Sequence, residues 1–355
     1  MLKLSNERIE WIDLSRCIAI LCVIICHCID TVYSLKVSAI PSLSLPSMTF
    51  AFSALSLGRL GVPIFLMITG YLLLDREYDN QRTERFWNKN VKHLVICALF
   101  WAIVSELFLI LVLHKNIALD DLFFGIIFLK PLSLVYFWYM PMILAMYVFI
   151  PFVANALQKY DLSVIVKPTF CFAIVTFLIP FIMSLLKFHG ITDYSPELFL
   201  GFSGGAFGIY MIMGYIIKKG YFKRIKTRVM GLIFILAFII FVLIKIYYFN
   251  IGFDVHIFYE SPFILICAIS LFELISRIKH VRFYNIIYKI SIYSFGIFLV
   301  HDLYRMFLRH RILHLTMSNP LKFVIYYIIV FALSLITVII ISKIPKFGKY
   351  VLHIK

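Results

Sequence analysis

The chain predicts an all-α, polytopic membrane protein with about ten transmembrane helices and both termini in the cytoplasm. Three observations carry this. Its apolar residues fall in blocks of about 20, the length that crosses a hydrocarbon core of about 30 Å. Hydrophobic residues make up 63% of 355, against about half in soluble domains. Most of the 34 lysines and arginines fall in the segments that strict alternation puts on one side of the membrane, the cytoplasmic side by the positive-inside rule. That placement also accounts for the net charge of +16 without a nucleic-acid partner. No polar stretch is long enough for a second domain, so residues 1–355 read as one membrane unit. The first apolar run lacks a small-residue cleavage site and is followed by many others, so it reads as a span and not a leader.

Taken in order, helix 1 covers about 12–33 and runs outward. Residues 34–46 form an outer loop with Lys36. Helix 2, about 47–74, returns with Arg59 inside it. A basic inner loop follows, with Arg76, Arg82, Arg85, Lys89 and Lys92. Helix 3, about 93–113, has Glu106 in its outer half. Residues 114–132 are too short a stretch for a span and read as an outer interfacial or re-entrant helix. Helix 4, about 134–157, starts with Trp138 and Tyr139, and helix 5 covers about 164–186. The outer loop 187–200 holds His189, Asp193 and Glu197.

Helix 6, about 203–218, opens with FSGGAFGIYMIMGY, whose small residues let helices approach closely. A basic inner loop runs from Lys218 to Arg228. Helix 7 covers about 229–249, before an outer turn with Asp254 and His256. Helix 8, about 258–276, contains Glu260 and Glu273. After the inner loop Arg277–Lys289, helix 9, about 290–308, carries Ser291, Tyr293, His301 and Asp302. A basic outer turn, Arg309–His314, leads to helix 10, about 321–342, and a basic tail. No internal repeat suggests a transporter of inverted halves.

The chemistry concentrates in helix 1. Arg16 and His27 are eleven positions apart, three turns plus about 20°, so both lie on one face about 16 Å apart along the axis. With Arg16 at the membrane surface, His27 sits near mid-bilayer, where an ionisable group is costly and marks a functional site by default. The competing reading is a snorkelling arginine and a packed histidine, and these two residues alone weigh the readings evenly. A neutral imidazole in an apolar cavity suits a general base that deprotonates a hydroxyl. Arg16 suits an anionic ligand arriving from the inner side.

His301 is the second candidate. Asp302 next to it diverges by about 100° and cannot pair with it simply. Arg82 and Arg85 share a face if helical, and forked guanidiniums fit phosphates; an ordinary positive-inside loop explains them as well. Arg59 needs a partner or a wet cavity, for which Glu106 and Glu260 are candidates. Trp138 and Tyr139 read first as an interfacial aromatic belt, and second as a sugar-stacking pair. The seven cysteines lie in apolar runs, are odd in number and form no disulfide framework. Cys26-His27-Cys28 is not read as a metal site, because consecutive helical residues diverge and no second ligand cluster is evident. No phosphate-binding glycine loop, nucleophile elbow or zinc-protease helix is present.

Together these pieces resemble the acyltransferase-3 family of integral membrane acyltransferases. Its Arg, ten residues, His hallmark matches Arg16 to His27. GVPIFLMITGYLL (Gly61 to Leu73) resembles its second-helix signature, and Arg82 to Arg85 its loop Arg-x-x-Arg. FWYMPMILAMYVFIP, IYMIMGYII and SIYSFGIFLVH resemble its Trp-rich, Gly-Tyr and late Ser-Tyr-His helices. Pro63 stands where many members have an acidic residue, which looks like the branch containing the enterobacterial common antigen O-acetyltransferase.

The resemblance implies transfer of an acyl group, most simply acetyl, from acetyl-CoA to a hydroxyl of a cell-surface polysaccharide or its lipid-linked precursor. Acetyl-CoA is then a co-substrate and no cofactor is bound. The implied catalytic residues are Arg16 and His27. Arg82, Arg85 and Arg59 bind the donor, and Ser291, Tyr293, His301, Glu106, Trp138 and Tyr139 support. The setting implied is the bacterial cytoplasmic (inner) membrane, with membrane lipids as neighbours and a second copy of the chain left open. Many relatives add a periplasmic hydrolase-like domain; this chain is expected to complete transfer in its membrane domain or with a partner. The rivals are an acyl translocator and a glycan transporter or flippase without catalysis.

Overall fold

The computed structural model describes residues 8–35, 43–188, 205–253 and 259–352. The described residues are helical throughout their ordered elements. Among the described residues, eight helices are long and apolar enough to cross a membrane, and two shorter apolar helices, Gly205–Lys218 and Pro262–Ser276, complete a set of ten at the expected positions. The first is α1, Glu10–Tyr33. The second is α2, Leu45–Gly58, running into α3, Gly61–Leu73. The third is α4, Asn80–Phe86, joined by a π-turn at Trp87–Val91 to α5, Lys92–Leu111. Between spans lies α6, Leu119–Ile126.

The fourth span enters through a 3₁₀ turn at Val135–Trp138 into α7, Tyr139–Leu157. The fifth is α8, Leu162–Ala173, a π-turn at Ile174–Leu178, and α9, Ile179–Phe188. Then come α10, Gly205–Lys218, α11, Thr227–Asn250, α12, Pro262–Ser276, α13, Tyr284–Leu313, α14, Asn319–Ser342, and a short α15, Phe347–Val351.

Prolines explain the irregular joints. A helical proline lacks an N–H and crowds the carbonyl four residues back. Pro63 therefore acts on Arg59, where helix 2, expected as unbroken, divides into α2 and α3. Pro141 acts on Phe137, inside the 3₁₀ turn that opens α7. Pro180 acts on Thr176, inside the π-turn before α9. The π-turn at Trp87–Val91 has no such proline.

Polar contacts sort the helix ends into two faces. One, the near face, gathers the start of α1, where Glu10 accepts from the Val281 N–H at 2.8 Å. It also holds the end of α3, where Asp75 bridges Lys219 at 2.6 Å and Lys218 at 3.4 Å. Asn155 pairs with both backbone groups of Tyr78 at 2.8 and 2.6 Å. Arg277 clasps the turn after α10 through the carbonyls of Phe222 and Ile225 and the Thr227 hydroxyl, at 2.9, 2.8 and 3.0 Å. The opposite, far face holds α6, whose eight residues reach only about 12 Å and cannot span. Lys130 ties it down through Asp120 and Asp121, at 3.1 and 2.6 Å, and Leu119 and Phe123 are exposed. This matches the interfacial element expected over 114–132.

Three expected boundaries shift. The third span starts at Asn80, with Asp79 capping the Arg82 N–H at 2.7 Å, so Arg82 and Arg85 sit on a helix and not in a loop. The α12 helix starts at Pro262, which leaves Glu260 exposed in the preceding turn. The α13 helix runs on to Leu313, so most of the expected Arg309–His314 turn is its last turn. His189, Asp193, Glu197, Asp254 and His256 lie outside the described residues.

The tightest helix crossing joins α3 and α10. A Cβ on Gly70 would meet the Met211 carbonyl oxygen at 1.8 Å, and one on Gly214 would meet the Met67 carbonyl oxygen at 2.0 Å. This is reciprocal small-residue packing, in which each backbone seats in the other's glycine notch. Gly58 against Cys26 and Gly61 against Ala19, where a Cβ would meet backbone at 2.6 Å in each case, also bring α2 and α3 close to α1. Gly70→Ala and Gly214→Ala should therefore each cost about 2 kcal/mol or more, seen as a lower melting temperature in detergent. Gly231→Ala in α11, with open space around its Cβ, should be neutral or stabilising by up to about 1 kcal/mol.

Candidate functional site

The site runs along the seam between α1 and α13, which lie parallel. At its near-face end is Asp13, fully buried. Its carboxylate accepts hydrogen bonds from Arg8 at 3.2 Å, Arg16 at 3.0 Å, the Tyr284 hydroxyl at 2.8 Å and the Ser291 hydroxyl at 2.6 Å. A buried carboxylate is tolerable only when paired and fully hydrogen-bonded, and four donors meet that need. Arg16, three residues on, is thereby fixed on the α1 surface with 28% of its side chain accessible.

Above Arg16 on the same face of α1 lies a small apolar recess, with room for about one water molecule. Val23, Val62, Phe65, Tyr139, Phe295 and Phe298 line it. Val23 lies about 10 Å above Arg16 and about 6 Å below His27, so the recess occupies the interval between them. At its top, the rings of His27 and His301 face each other with centroids 5.3 Å apart. His27 is half-buried and His301 fully buried. Tyr136 and Phe298 pack on the His301 ring at 5.2 and 5.8 Å. The Tyr136 hydroxyl donates to the Leu299 carbonyl at 2.8 Å.

A second ion pair closes the seam beyond the histidines. Asp302, fully buried, takes both forks of Arg305. Arg305 also donates to the Thr31 hydroxyl at 2.7 Å, and that hydroxyl donates to the His27 carbonyl at 2.8 Å. As expected, Asp302 does not pair with its neighbour His301; the arginine one turn on is its partner.

Of the residues singled out from sequence, Arg16, His27, Ser291, His301 and Tyr139 come together on this seam. Tyr293 does not: it is turned about 200° from Ser291 and packs into the apolar core. Arg59 sits at the depth of His27, beside the Gly58–Cys26 contact, with its guanidinium over the Tyr259 ring at 5.3 Å. It is about 21 Å up the helix from the near-face end of α3, apart from Arg82 and Arg85. Glu106 is not its partner. That carboxylate accepts from the Ser133 N–H and hydroxyl at 2.8 and 2.9 Å, holding down the chain before α7.

Trp138 and Tyr139 form no lipid-facing belt. Trp138 packs inside the bundle on Phe207 and Tyr259, at 5.2 and 5.5 Å, and Tyr139 is buried against Phe298 at 5.1 Å. Arg82 and Arg85 are exposed on α4, with Arg82 3.7 Å from Asp79. Between them and the seam, Phe86 stacks on Tyr147 at 5.9 Å.

Asp13, Tyr136, Thr31 and Arg305 were not singled out from sequence. Asp13–Arg16 and Asp302–Arg305 both carry a readable signal, opposite charges three apart on an apolar helix. Tyr136 and Thr31 carry none.

The geometry defines a class: a polytopic helical membrane protein whose functional groups are strung between a charged mouth at one face and a buried pair of imidazoles. Residues 9–342 match the acyltransferase domain of the acyltransferase-3 family, and the chain belongs to that family. A protein of Acidianus two-tailed virus with the provisional name acetyltransferase ORF330 is 28% identical over 181 residues. That stretch is 48% of this chain and 51% of the viral protein, so the chain spans about half the length of this relative. No solved structure matches.

Asp13 should be the most sensitive side chain at the mouth. Asp13→Ala leaves two guanidiniums without their carboxylate and should cost about 3 kcal/mol or more. Ser291→Ala removes one bond to a charged group and should cost about 1.5–3 kcal/mol. Melting temperatures in detergent check both. A pH response is expected at Asp75, in the turn beyond α3. Burial pushes its carboxyl up, but the Lys219 hydrogen bond and the charges of Lys218 and Lys219 outweigh burial and hold it below the usual carboxylate range. A depressed acid stabilises the fold above its unfolded-state value and loses that stabilisation as pH falls through its folded-state value. Melting temperature should thus fall less steeply on acidification below about pH 4 in Asp75→Asn than in wild type.

Proposed function

We propose that this protein is an O-acyltransferase that moves an acyl group, most simply acetyl, from acyl-CoA at the near face to a hydroxyl of a cell-surface glycan or its lipid-linked precursor. The observation that carries this reading is the alignment on one face of α1: Arg16 at the mouth, the apolar recess above it, and His27 at the top. A coenzyme A thioester has the matching shape, with a multiply charged nucleotide at one end, a long uncharged arm, and the reactive carbonyl at the tip. The near face is then cytoplasmic, in the inner membrane of a bacterium, as the basic residues gathered there support.

The donor's phosphates meet Arg82 and Arg85, whose guanidiniums offer forked donors. Its arm passes Arg16 toward the recess, whose apolar walls exclude water from the thioester. His27 accepts the proton of the sugar hydroxyl as that oxygen attacks the thioester carbonyl carbon. The carbon–oxygen bond forms, the carbon–sulfur bond breaks, and the imidazolium returns the proton to the departing thiolate. Arg59, at the depth of His27, is positioned for the acceptor side. The rings of Trp138, Phe207 and Tyr259 offer apolar faces for a sugar beside it. The acceptor assignment extends to the branch resembling the enterobacterial common antigen enzyme on Pro63, the same residue that kinks the span at Arg59.

Radiolabelled acetyl-CoA incubated with membranes carrying the protein and its host's surface glycan should label the glycan. His27→Ala should lower the rate by about 10²–10⁴-fold, and unchanged transfer would remove it as the base. Arg82→Ala combined with Arg85→Ala should raise KM for acetyl-CoA about tenfold with kcat little changed, the signature of uniform binding. Purified protein that releases acetyl groups across a bilayer but labels no glycan would favour the translocator instead.

A further inference from the structure

The His301 ring has one satisfied and one orphaned nitrogen. Its Nδ1 lies 2.6 Å from the Phe298 carbonyl oxygen. A carbonyl only accepts, so Nδ1 carries the hydrogen. In a neutral imidazole Nε2 is then a bare lone pair. It is fully buried and has no partner. Buried acceptors are paired in nearly all native structures, and an exception calls for an explanation. The side chains on the ring narrow the choice. Phe298 has no polar atom, and the Tyr136 hydroxyl is spent on the Leu299 carbonyl. His27, 5.3 Å away centroid to centroid, is partly accessible and carries a ring N–H. The ion pair Asp302–Arg305 and its bond to Thr31 hold this stretch of α13 against α1 one turn beyond both histidines.

Resting on the reading above, we propose that His301 is a positioning residue for His27: its Nε2 accepts the N–H of His27, completing a chain from the Phe298 carbonyl through two imidazoles to the acceptor hydroxyl. The contact closes by rotation of the His27 ring when substrate enters the recess. It fixes His27 in the tautomer whose other nitrogen is bare and faces the substrate. Base, orienter and backbone anchor thus stand in line, as a base oriented by a third group. The proton account is closed. The acceptor oxygen loses its proton to His27 as its bond to the acyl carbon forms, and the thiolate takes that proton as the carbon–sulfur bond breaks. His301 gains and loses none; it holds the His27 imidazolium by accepting its N–H throughout.

Two variants test this. Gln at 301 offers an N–H for the Phe298 carbonyl and an oxygen for His27, whereas Phe fills the space and offers neither. His301→Gln should keep glycan labelling within about tenfold of wild type, and His301→Phe should lose about 100-fold. Hydroxylamine, a nucleophile that needs no base, should form hydroxamate from acetyl-CoA at similar rates in wild type and both variants. Histidine nitrogen NMR of the purified protein in lipid nanodiscs gives a readout independent of turnover. On acetyl-CoA addition, His27 should show one tautomer in wild type and in His301→Gln, and a mixture in His301→Phe.

The proposal is overturned if His301→Phe labels glycan at the wild-type rate. It is also overturned if that variant loses hydroxamate formation equally, which marks a structural role, or if the His27 tautomer is the same in all three. If wild-type protein labels neither glycan nor hydroxylamine, the transferase reading falls, while the tautomer spectra still decide the histidine pair.

Discussion

Two ion-paired clamps hold α1 to α13, and the functional seam exists because both are made. One is centred on Asp13, the other on Asp302 and Arg305 with Thr31. On α1 they stand about 27 Å apart along the axis, with His27 between them. In a low-dielectric bundle neither carboxylate can be left unpaired, since breaking a buried pair costs far more than the pair itself contributes. The clamps therefore specify register more than they add stability. A one-residue slip of α13 would rotate its side chains by about 100°. It would part Ser291 from Asp13, Arg305 from Thr31 and His301 from His27 together.

The rest of the bundle shapes what lies beside that seam. Pro63 breaks the second span at Arg59 and so sets a guanidinium at mid-bilayer depth, next to the imidazoles, where an unbroken helix would direct that position differently. Gly58 and Gly61 bring the broken span flush against α1. The Gly70 and Gly214 notches then dock α10 onto α3 on its other side. Close backbone contact on both sides of α3 leaves its larger side chains, Val62 and Phe65, to wall the recess with Tyr139 and Phe298. Proline and glycine placement thus determines the recess walls, and the α1–α13 clamps determine what stands at its two ends.

Much of this was readable before any coordinates. Blocks of about 20 apolar residues marked all ten segments, and the spacing of Arg16 and His27 placed them on one face. What resisted reading has a common cause: partner choice in a bundle is set by three-dimensional packing, and charge type along the chain does not reveal it. Arg59 needed company, and Glu106 was an acid in the right half of a neighbouring span, yet Glu106 is held by Ser133 and Arg59 lies over Tyr259. Trp138 and Tyr139 looked like a belt because aromatic residues at a span's end usually face lipid; the 3₁₀ turn imposed by Pro141 turns them into the bundle. Asp13 lies at the polar start of helix 1 and was not singled out. Its spacing from Arg16 is legible in the sequence, but its burial and its donors Tyr284 and Ser291, 271 and 278 residues further on, are not.

The charge balance along the seam has a consequence for the proposed donor. At the mouth two arginines, Arg8 and Arg16, share the Asp13 carboxylate and both keep part of their side chain accessible, so that end still offers guanidinium donors to an anion. At the deep end Asp302 and Arg305 cancel, and between them stand neutral, apolar walls and two imidazoles. A multiply anionic ligand is held at the mouth, because carrying its phosphates further would mean desolvating them past the apolar walls of Val23, Val62, Phe65 and Phe298 before the guanidinium of Arg59 is reached. An uncharged arm meets no such barrier. The same division would disfavour a free nucleotide or phosphate at His27 relative to a group carried on a long neutral tether. In the proposed reaction, selection for the donor would reside in the contrast between the charged mouth and the apolar walls above it, and the length of the tether would have to match the distance of about 16 Å from Arg16 to His27.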